Sequence, residues 1–422
     1  MSEAISPIRG MGDILPEDAT VWQHVEAVLK STVHAYGYRE LRVPVVERTE
    51  LFKRSIGEVT DIVEKEMYTF ADRNNESLTL RPEATAGIVR AGISNGLFHN
   101  QKQKLWSMGP MFRYEKPQKG RYRQFHQFDV EAFGFDGPDI DAELLMLIAR
   151  IWRNLGLSQI ELQLNSLGTP ASRMGYRAEL TDYFSAHLDR LDPESRERLG
   201  RNPLRLLDSK HPDMQALIEA APRITDHLDA ESAEHFAHLQ ELLDLAGIAY
   251  RVNPRLVRGL DYYTRTVFEW VTNQLGAQGA VCSGGRYDGL VEHLGGKPVP
   301  AIGWAIGLER LVELCRLGQV VASDLMLDAY LVAVGDEAAH RGLILAEELR
   351  NQSPALRIEV NSGGGSFKSQ FKRADKSGAR VALILGETEL ANGVIGIKPL
   401  RREAEQQNVP WDQAAHTINS MK

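Results

Sequence analysis

The sequence predicts an α+β protein: an antiparallel sheet with flanking helices, a helical insertion, and a smaller C-terminal α/β domain. Three observations predict it. Short period-two segments recur through residues 39–165 and again through 266–283, which reads as one sheet built from two stretches of chain. Residues 168–250 look helical throughout, with acids and bases mixed and no strand of conviction. Beyond residue 328, apolar strands alternate with helices over roughly 95 residues. A length of 422 suits two or three domains, and 43% hydrophobic with 25% charged residues is an ordinary globular composition.

The elements follow in order. Residues 20–36 form an amphipathic helix, with Val21, Val25, Val28, Leu29 and Val33 on one stripe and Gly37 as its stop. Arg39 to Glu47 alternates as a strand. Pro44 cannot donate to a ladder, so this strand belongs at an edge, in a dimer contact or in ordinary packing. Strands follow at Met67–Ala71, Ser77–Arg81, Lys104–Tyr114 and Gln124–Phe135, the last two flanking a long polar hairpin loop, Glu115–Arg123. A helix over 139–155 has Asp139 as its cap, and Ile160–Asn165 is another strand. After the helical stretch come strands at Thr266–Val271 and Ala280–Ser283. A buried strand through Gly303–Gly307 then leads into a helix that runs to Leu317. A weakly marked break falls near 318–328. Past it lie strands at Ala329–Val334, Arg357–Val360 and Val381–Leu385, and helices over 336–350 and 366–377.

Several classes are excluded. The stretch after Met1 has no basic or apolar signal region, and no apolar run approaches the roughly 18 residues of a membrane span. Cys282 and Cys315 match no metal-ligand spacing and read as small buried residues in a reducing compartment. Among twelve histidines, His235 and His238 stand three apart without a third ligand and read as surface residues. A net charge of −8 argues against general nucleic-acid coating, yet residues 100–125 hold seven Lys/Arg against one acid, Glu115.

The chemistry concentrates in a few segments. Leu256–Tyr263 joins Arg258 to a glycine, a carboxylate and two phenols. Arg113 ends a strand, where its fork can clamp a phosphate, with Arg121 and Arg123 across the loop and Phe125 offering a ring. Gln127, Asp129 and Glu131 share one strand face, costly unless that face is a site or solvated. Glu83 and Thr85 follow a strand; Glu83 either takes an ammonium or opens a helix. Gly284–Gly289 reads as a glycine-rich turn, which either approaches a ligand or only turns. Arg310 lies in the first turns of a helix, suited to an anion or to a surface ion pair. Three separated arginines suggest a polyphosphate site without a Walker loop.

Together and in order, these segments resemble class II aminoacyl-tRNA synthetases, and closely resemble the bacterial histidyl-tRNA synthetase family. Residues 20–47 look like motif 1, the dimer element, 104–135 like motif 2 and 301–316 like motif 3. Leu256–Tyr263 and Ser283–Gly289 look like the two histidine-specific signatures. The resemblance covers essentially the whole chain. It implies a catalytic core in two parts (1–167 and 251–325), a helical insertion (168–250) and an anticodon-binding domain (326–422). It implies ATP as substrate with Mg²⁺ bound to it, no tightly held protein-ligated metal, L-histidine and tRNA(His) as further substrates, a cytoplasmic homodimer and no membrane. Arg113 and Arg258 would be catalytic, with Arg121, Phe125 and Arg310 also on ATP. Glu83, Ala84, Thr85, Gln127, Glu131, Arg258, Tyr262 and Tyr263 would hold histidine, with Tyr287, Gly284 and Gly285 lining its pocket. Gln118 and Arg123 would meet the tRNA acceptor end, and Lys368 and Lys372, with Lys376 on the same helix face, the anticodon stem. Ala84 stands where the family often has glycine, and its methyl group would narrow the pocket slightly. The rival is a histidine-sensing regulatory subunit of ATP phosphoribosyltransferase, which usually lacks the arginines and the last domain.

Overall fold

The structure, a computed structural model, describes residues 5–57, 60–118, 120–209, 211–258, 260, 262–276, 279–319 and 327–421. It divides into two compact units, Met1–Val320 and Val321–Lys422. The expected break near 318–328 falls largely on residues 320–326, outside the described residues.

The first unit opens with α1 (Pro16–Ala35), stopped by Gly37 at φ +80°, where Gly37 and Tyr38 return their N–H groups to His34 and Val33. The strand expected over 39–47 is two pieces. β1 (Arg39–Glu40) is an edge strand beside the later hairpin, while β2 (Val46–Arg48) leaves for another sheet, with Pro44 between them. Helix α2 (Thr49–Ile56) leads to β3 (Tyr68–Ala71) and β4 (Ser77–Leu80), which pair with β2 in a three-stranded sheet. Helix α3 (Thr85–Ser94) precedes the hairpin β5 (Gln103–Phe112) and β6 (Gln124–Phe133). Helix α4 (Pro138–Asn154) is capped by Gly137 rather than Asp139, because Pro138 takes the first helical position. Asp139 sits in the first turn, where the dipole still favours it.

Strand β7 (Glu161–Ser166) precedes helices α5 (Pro170–Ser185), α6 (Pro193–Arg201), α7 (Pro212–Ala220) and α8 (Ala230–Leu245). Side chains of α5 and α7 pack in their own cluster around Tyr176, Leu180, Phe184 and Leu217, which reaches Leu256, Tyr263 and Val267. Helix α8 instead buries Phe236, Leu239 and Leu243 in the core of the main sheet. The helical stretch closes on a strand that the sequence did not announce, β8 (Tyr250–Val252), parallel to β7. His235 is also buried rather than on the surface, because its ring meets Asp141 across the α4–α8 contact; His238 is exposed.

The chain returns through β9 (Thr264–Val271), β10 (Ala280–Arg286), the short α9 (Leu290–His293), β11 (Ala301–Gly307) and α10 (Leu308–Leu317). The main sheet has the order β1-β5-β6-β11-β10-β9-β7-β8, antiparallel except at its two edges. One face is covered by α1, α4, α8 and α10 through Leu29, Leu144, Leu239 and Leu311 against Phe128, Val130, Phe268 and Ile302. The other face carries the polar residues of β6. The glycine-rich segment at 284 is not a turn in its first half: Gly284 and Gly285 continue β10 between β9 and β11. A Cβ at Gly284 would stand 2.2 Å from Gly303 O and 2.7 Å from Trp304 Cα, so glycine here permits close strand approach.

The second unit is a five-stranded sheet, β13-β12-β14-β15-β16, with helices α11 to α14. Strands β12 (Ala329–Ala333), β13 (Ile358–Val360) and β14 (Val381–Leu385) are parallel and alternate with α11 (Asp336–Gln352) and α12 (Phe367–Lys376). Four elements escaped the sequence reading: α13 (Glu387–Asn392), β15 (Val394–Pro399), β16 (Gln407–Pro410) and α14 (Trp411–Ser420). Both strands are short and end in proline, and β16 has little apolar alternation. Among the described residues, no helix is long and apolar enough to cross a membrane.

Candidate active site

A cavity of about 200 Å³ lies on the polar face of the main sheet. Strand register builds its floor in rows. Glu131 pairs with Gly303, which pairs with Gly285; Asp129 pairs with Ala305, then Ser283, then Glu269; Gln127 pairs with Gly307. The glycines in the first row make space. A Cβ on Gly303 would meet Glu131 Oε2 at 1.5 Å, and one on Gly285 would press on the Tyr263 ring at 3.0 Å.

At one end stand the acids. Glu131, 1% exposed, accepts from Thr85 Oγ1 at 2.7 Å and from the Tyr287 hydroxyl. Burial pushes its carboxyl up to about 8, against the downward pull of those two hydrogen bonds. Glu83 accepts at Oε2 from Thr85 N (2.7 Å) and at Oε1 from Ala86 N (2.8 Å). It therefore opens α3 and also borders the cavity. Burial, then the nearness of Glu131 and Glu83, holds Asp129 well above the usual carboxylate range. Asp129 Oδ2 and Gln127 Oε1 are buried and accept no hydrogen bond among the described residues.

The hairpin end, about 20 Å along β6 at the usual rise per residue, is basic. Arg113 Nε donates to Pro82 O (2.8 Å) and its guanidinium lies 5.2 Å from the Phe125 ring. Arg310, at the start of α10, donates from Nε to Gly120 O (3.1 Å) and from Nη1 to Ala280 O (2.8 Å). Burial, then Arg121, lowers its pKa. Arg121 pairs with Glu115 at 2.9 Å. Between the ends, Arg258 bonds Glu269 and Ser283 Oγ (2.9 Å) and lies 5.4 Å from the Tyr263 ring, so it reaches the row of Asp129. Gly259 and Asp261 of the same run lie outside the described residues.

The structure thus brings together Glu83, Thr85, Arg113, Arg121, Phe125, Gln127, Glu131, Arg258, Tyr262, Tyr263, Tyr287 and Arg310 around one cavity. Other expected residues lie elsewhere. Ala84 is fully buried as the N-cap of α3 and packs with Ile88 and Phe133, so its methyl group does not narrow the cavity. Gly284 and Gly285 lie within the sheet rather than on the wall, Gly285 beneath Tyr263. Gln118 bridges to Arg121 in the loop, and Arg123 stacks 3.8 Å from the Tyr114 ring; neither lines the cavity. Lys368 and Lys372 are exposed on α12 of the second unit.

Sequence reasoning put Asp129 on the candidate face with Gln127 and Glu131 but gave it no role there. It also passed over Glu269 and Ser283, whose nearness to Arg258 depends on register. Gly303 had a signal, a glycine inside a strand. Among the described residues, no group of three His, Cys, Asp or Glu is placed to hold a metal ion.

Known proteins are similar to this chain in sequence and fold. A family model described as histidyl-tRNA synthetase matches residues 10–311, and one described as anticodon binding domain matches 328–421. The chain is 58% identical to the histidine–tRNA ligase of Hydrogenovibrio crunogenus, over 98% of this chain and 97% of that protein. It is 59% identical to the histidine–tRNA ligase of Alkalilimnicola ehrlichii, over 97% and 95%. The crystal structure of apo S. aureus histidyl-tRNA synthetase matches with a TM-score of 0.81 at 35% identity, covering 98% of this chain and 100% of that one. The family model over residues 10–311 and the near full-length identity agree, and the chain belongs to the histidyl-tRNA synthetase family.

Proposed function

We propose that this protein ligates L-histidine to tRNA(His) at the expense of ATP. The observation that carries the reading is the cavity itself: a buried carboxylate held by a hydroxyl and a phenol at one end, and arginines at the other. In the first step a carboxylate oxygen of histidine attacks the α-phosphorus in line, the bond to the β-phosphate oxygen breaks, and diphosphate leaves. In the second, the terminal ribose hydroxyl of the tRNA takes the histidyl group and AMP leaves. Both steps need placement and charge stabilisation more than covalent help from the protein.

Arg113 and Arg258 are the catalytic residues in this reading, on the α-phosphate and on the carboxylate whose charge shifts. Arg121 and Arg310 hold the outer phosphates, and Phe125 stacks on adenine. Glu131 and Tyr263 bracket the imidazole, and Tyr262 and Tyr287 close the pocket. The α-ammonium meets Thr85, Gln127 and Glu83, where the free Oε1 of Gln127 suits a donor better than the committed oxygens of Glu83. An analogue without two ring nitrogens leaves buried polar groups unpaired, which supports discrimination of about 10⁴. Mg²⁺ would come bound to ATP; the carboxylates at that end are Glu115, paired with Arg121 at 2.9 Å, and Glu309, which accepts from His126 N at 2.9 and 3.0 Å, and each would have to share its oxygens with the cation. Its chemistry is to neutralise outer-phosphate charge.

The remaining assignments belong to the same proposal. The loop 115–123 meets the acceptor end, α5–α8 form the insertion, and the second unit reads the anticodon stem with the exposed face of Lys368, Lys372 and Lys376. The protein works as a cytoplasmic homodimer through residues 20–47. The non-charging regulatory reading is disfavoured, since Arg113, Arg258 and Arg310 all reach the cavity. ATP–pyrophosphate exchange against each of the twenty amino acids tests the proposal. Exchange with histidine alone is expected; none from folded protein would point to the regulatory relative.

A further inference from the structure

Arg286 and Tyr287 are neighbours that serve opposite faces of the sheet. Tyr287 donates to Glu131 in the cavity. Arg286 is 0% exposed on the helix-covered face, and its guanidinium is fully engaged. Nε donates to Asp141 Oδ2 (3.1 Å), and Nη1 to Phe135 O (3.0 Å) and Asp288 Oδ1 (3.2 Å). Nη2 donates to Gly137 O (2.6 Å) and lies 2.7 Å from Asp141 Oδ1. Asp141, also 0% exposed, accepts from Thr266 Oγ1 (2.6 Å) and faces His235 Nε2 at 2.9 Å. Burial opposes the charge of Asp141, but Arg286 and His235 outweigh it and hold the carboxyl below its usual range.

Such a cluster is a poor source of stability, because buried charges lose their hydration and apolar residues of equal volume would often do as well. What such a densely bonded polar cluster supplies is one fixed geometry, although Asp141 Oδ1 has only its ion pair with Arg286 and accepts no hydrogen bond among the described residues. This one grips the end of β10. Tyr287 N donates to Ala301 O (2.8 Å) and Ala301 N to Asp288 Oδ1 (3.0 Å), so the same bonds fasten that end to β11, where Gly303 lies under Glu131.

We propose that His235, Asp141, Thr266 and Arg286 are positioning residues that hold Tyr287, and through it Glu131, in place for the imidazole of the substrate. The proposal rests on the reading of Glu131 as the imidazole end of the cavity. His235 comes from α8, so the last helix of the helical stretch sets the histidine pocket from the far side of the sheet.

The test is histidine-dependent ATP–pyrophosphate exchange by the full-length protein and by His235→Leu, His235→Gln and Thr266→Val. His235→Leu is expected to raise KM for histidine about tenfold, while KM for ATP and kcat stay within about twofold. His235→Gln, whose amide nitrogen can still donate to Asp141, recovers most of the loss. Thr266→Val keeps the side-chain shape and shifts KM for histidine the same way, which covers the case in which His235→Leu does not fold. Unchanged KM for histidine in folded variants overturns the proposal. So does an equal rise in both KM values with no recovery in His235→Gln, which marks plain packing. Absence of exchange in the unaltered protein overturns the underlying function instead and is distinguishable at once.

Discussion

Glu131 is built to accept hydrogen bonds in a place that disfavours its charge. Its folded pKa of about 8 lies above the ordinary glutamate value of 4.5. Between those values the folded protein binds more protons at this group than the unfolded chain does, so stability falls as pH rises through that window. One group contributes at most about 1.4 kcal/mol per pH unit. Glu131→Gln is expected to flatten that fall and to abolish histidine activation; denaturant titrations across the window, compared with the parent, check the first part. Arg258→Ala is expected to cost about 10³-fold in pyrophosphate exchange. It also leaves Glu269 without its cation, at about 1–3 kcal/mol of stability, read by thermal melts. Much of this was legible. Arg113, Arg258 and Arg310 stand in unusual runs, and alternation put Gln127 and Glu131 on one face. Glu269 and Ser283 were not legible, because contact with Arg258 depends on which residues of β9 and β10 lie opposite, and no local pattern states that.

Elements were legible where periodicity is long. Helix α1 and the hairpin β5–β6 follow their patterns within a few residues. Glycine misled in β10, since in sequence it usually marks a turn. Here Gly284 packs against the backbone of β11 and Gly285 under a ring, a reason visible only after the strands are paired. Gly284→Ala is therefore expected to destabilise the first unit by about 1–3 kcal/mol, because its new methyl group meets backbone that cannot swing away. A lowered midpoint in urea checks this; an unchanged midpoint would mean that the sheet adjusts. Proline and sparse apolar alternation hid β15 and β16, which are added in turn to the edge at β14, β15 on β14 and β16 on β15.

For the whole molecule, the two-part division was legible as a change in the order of strands and helices, and composition marked the break near 318–328 only weakly. Each unit has its own apolar clusters: Leu29, Leu144 and Phe268 in the first, Leu331, Leu345 and Leu383 in the second. Removal of residues 328–422 is accordingly expected to leave histidine-dependent exchange near normal and to weaken tRNA charging. Equal charging efficiency with and without the second unit would exclude it from tRNA recognition.

The opposed ends of the cavity have a consequence for inhibitor chemistry. Glu131 and the hairpin end beside the arginines stand about 20 Å apart along β6, so a competitor is expected to enter with a hydrogen-bonding head toward Glu131 and an anionic tail toward Arg310. Neutral, compact drug-like molecules would strip water from both ends and replace little of it. Weakly bound halves found separately, one hydrogen-bonding and one anionic, are the better starting point, and a linker joining them must lie flat over the row of Asp129, Ala305 and Ser283.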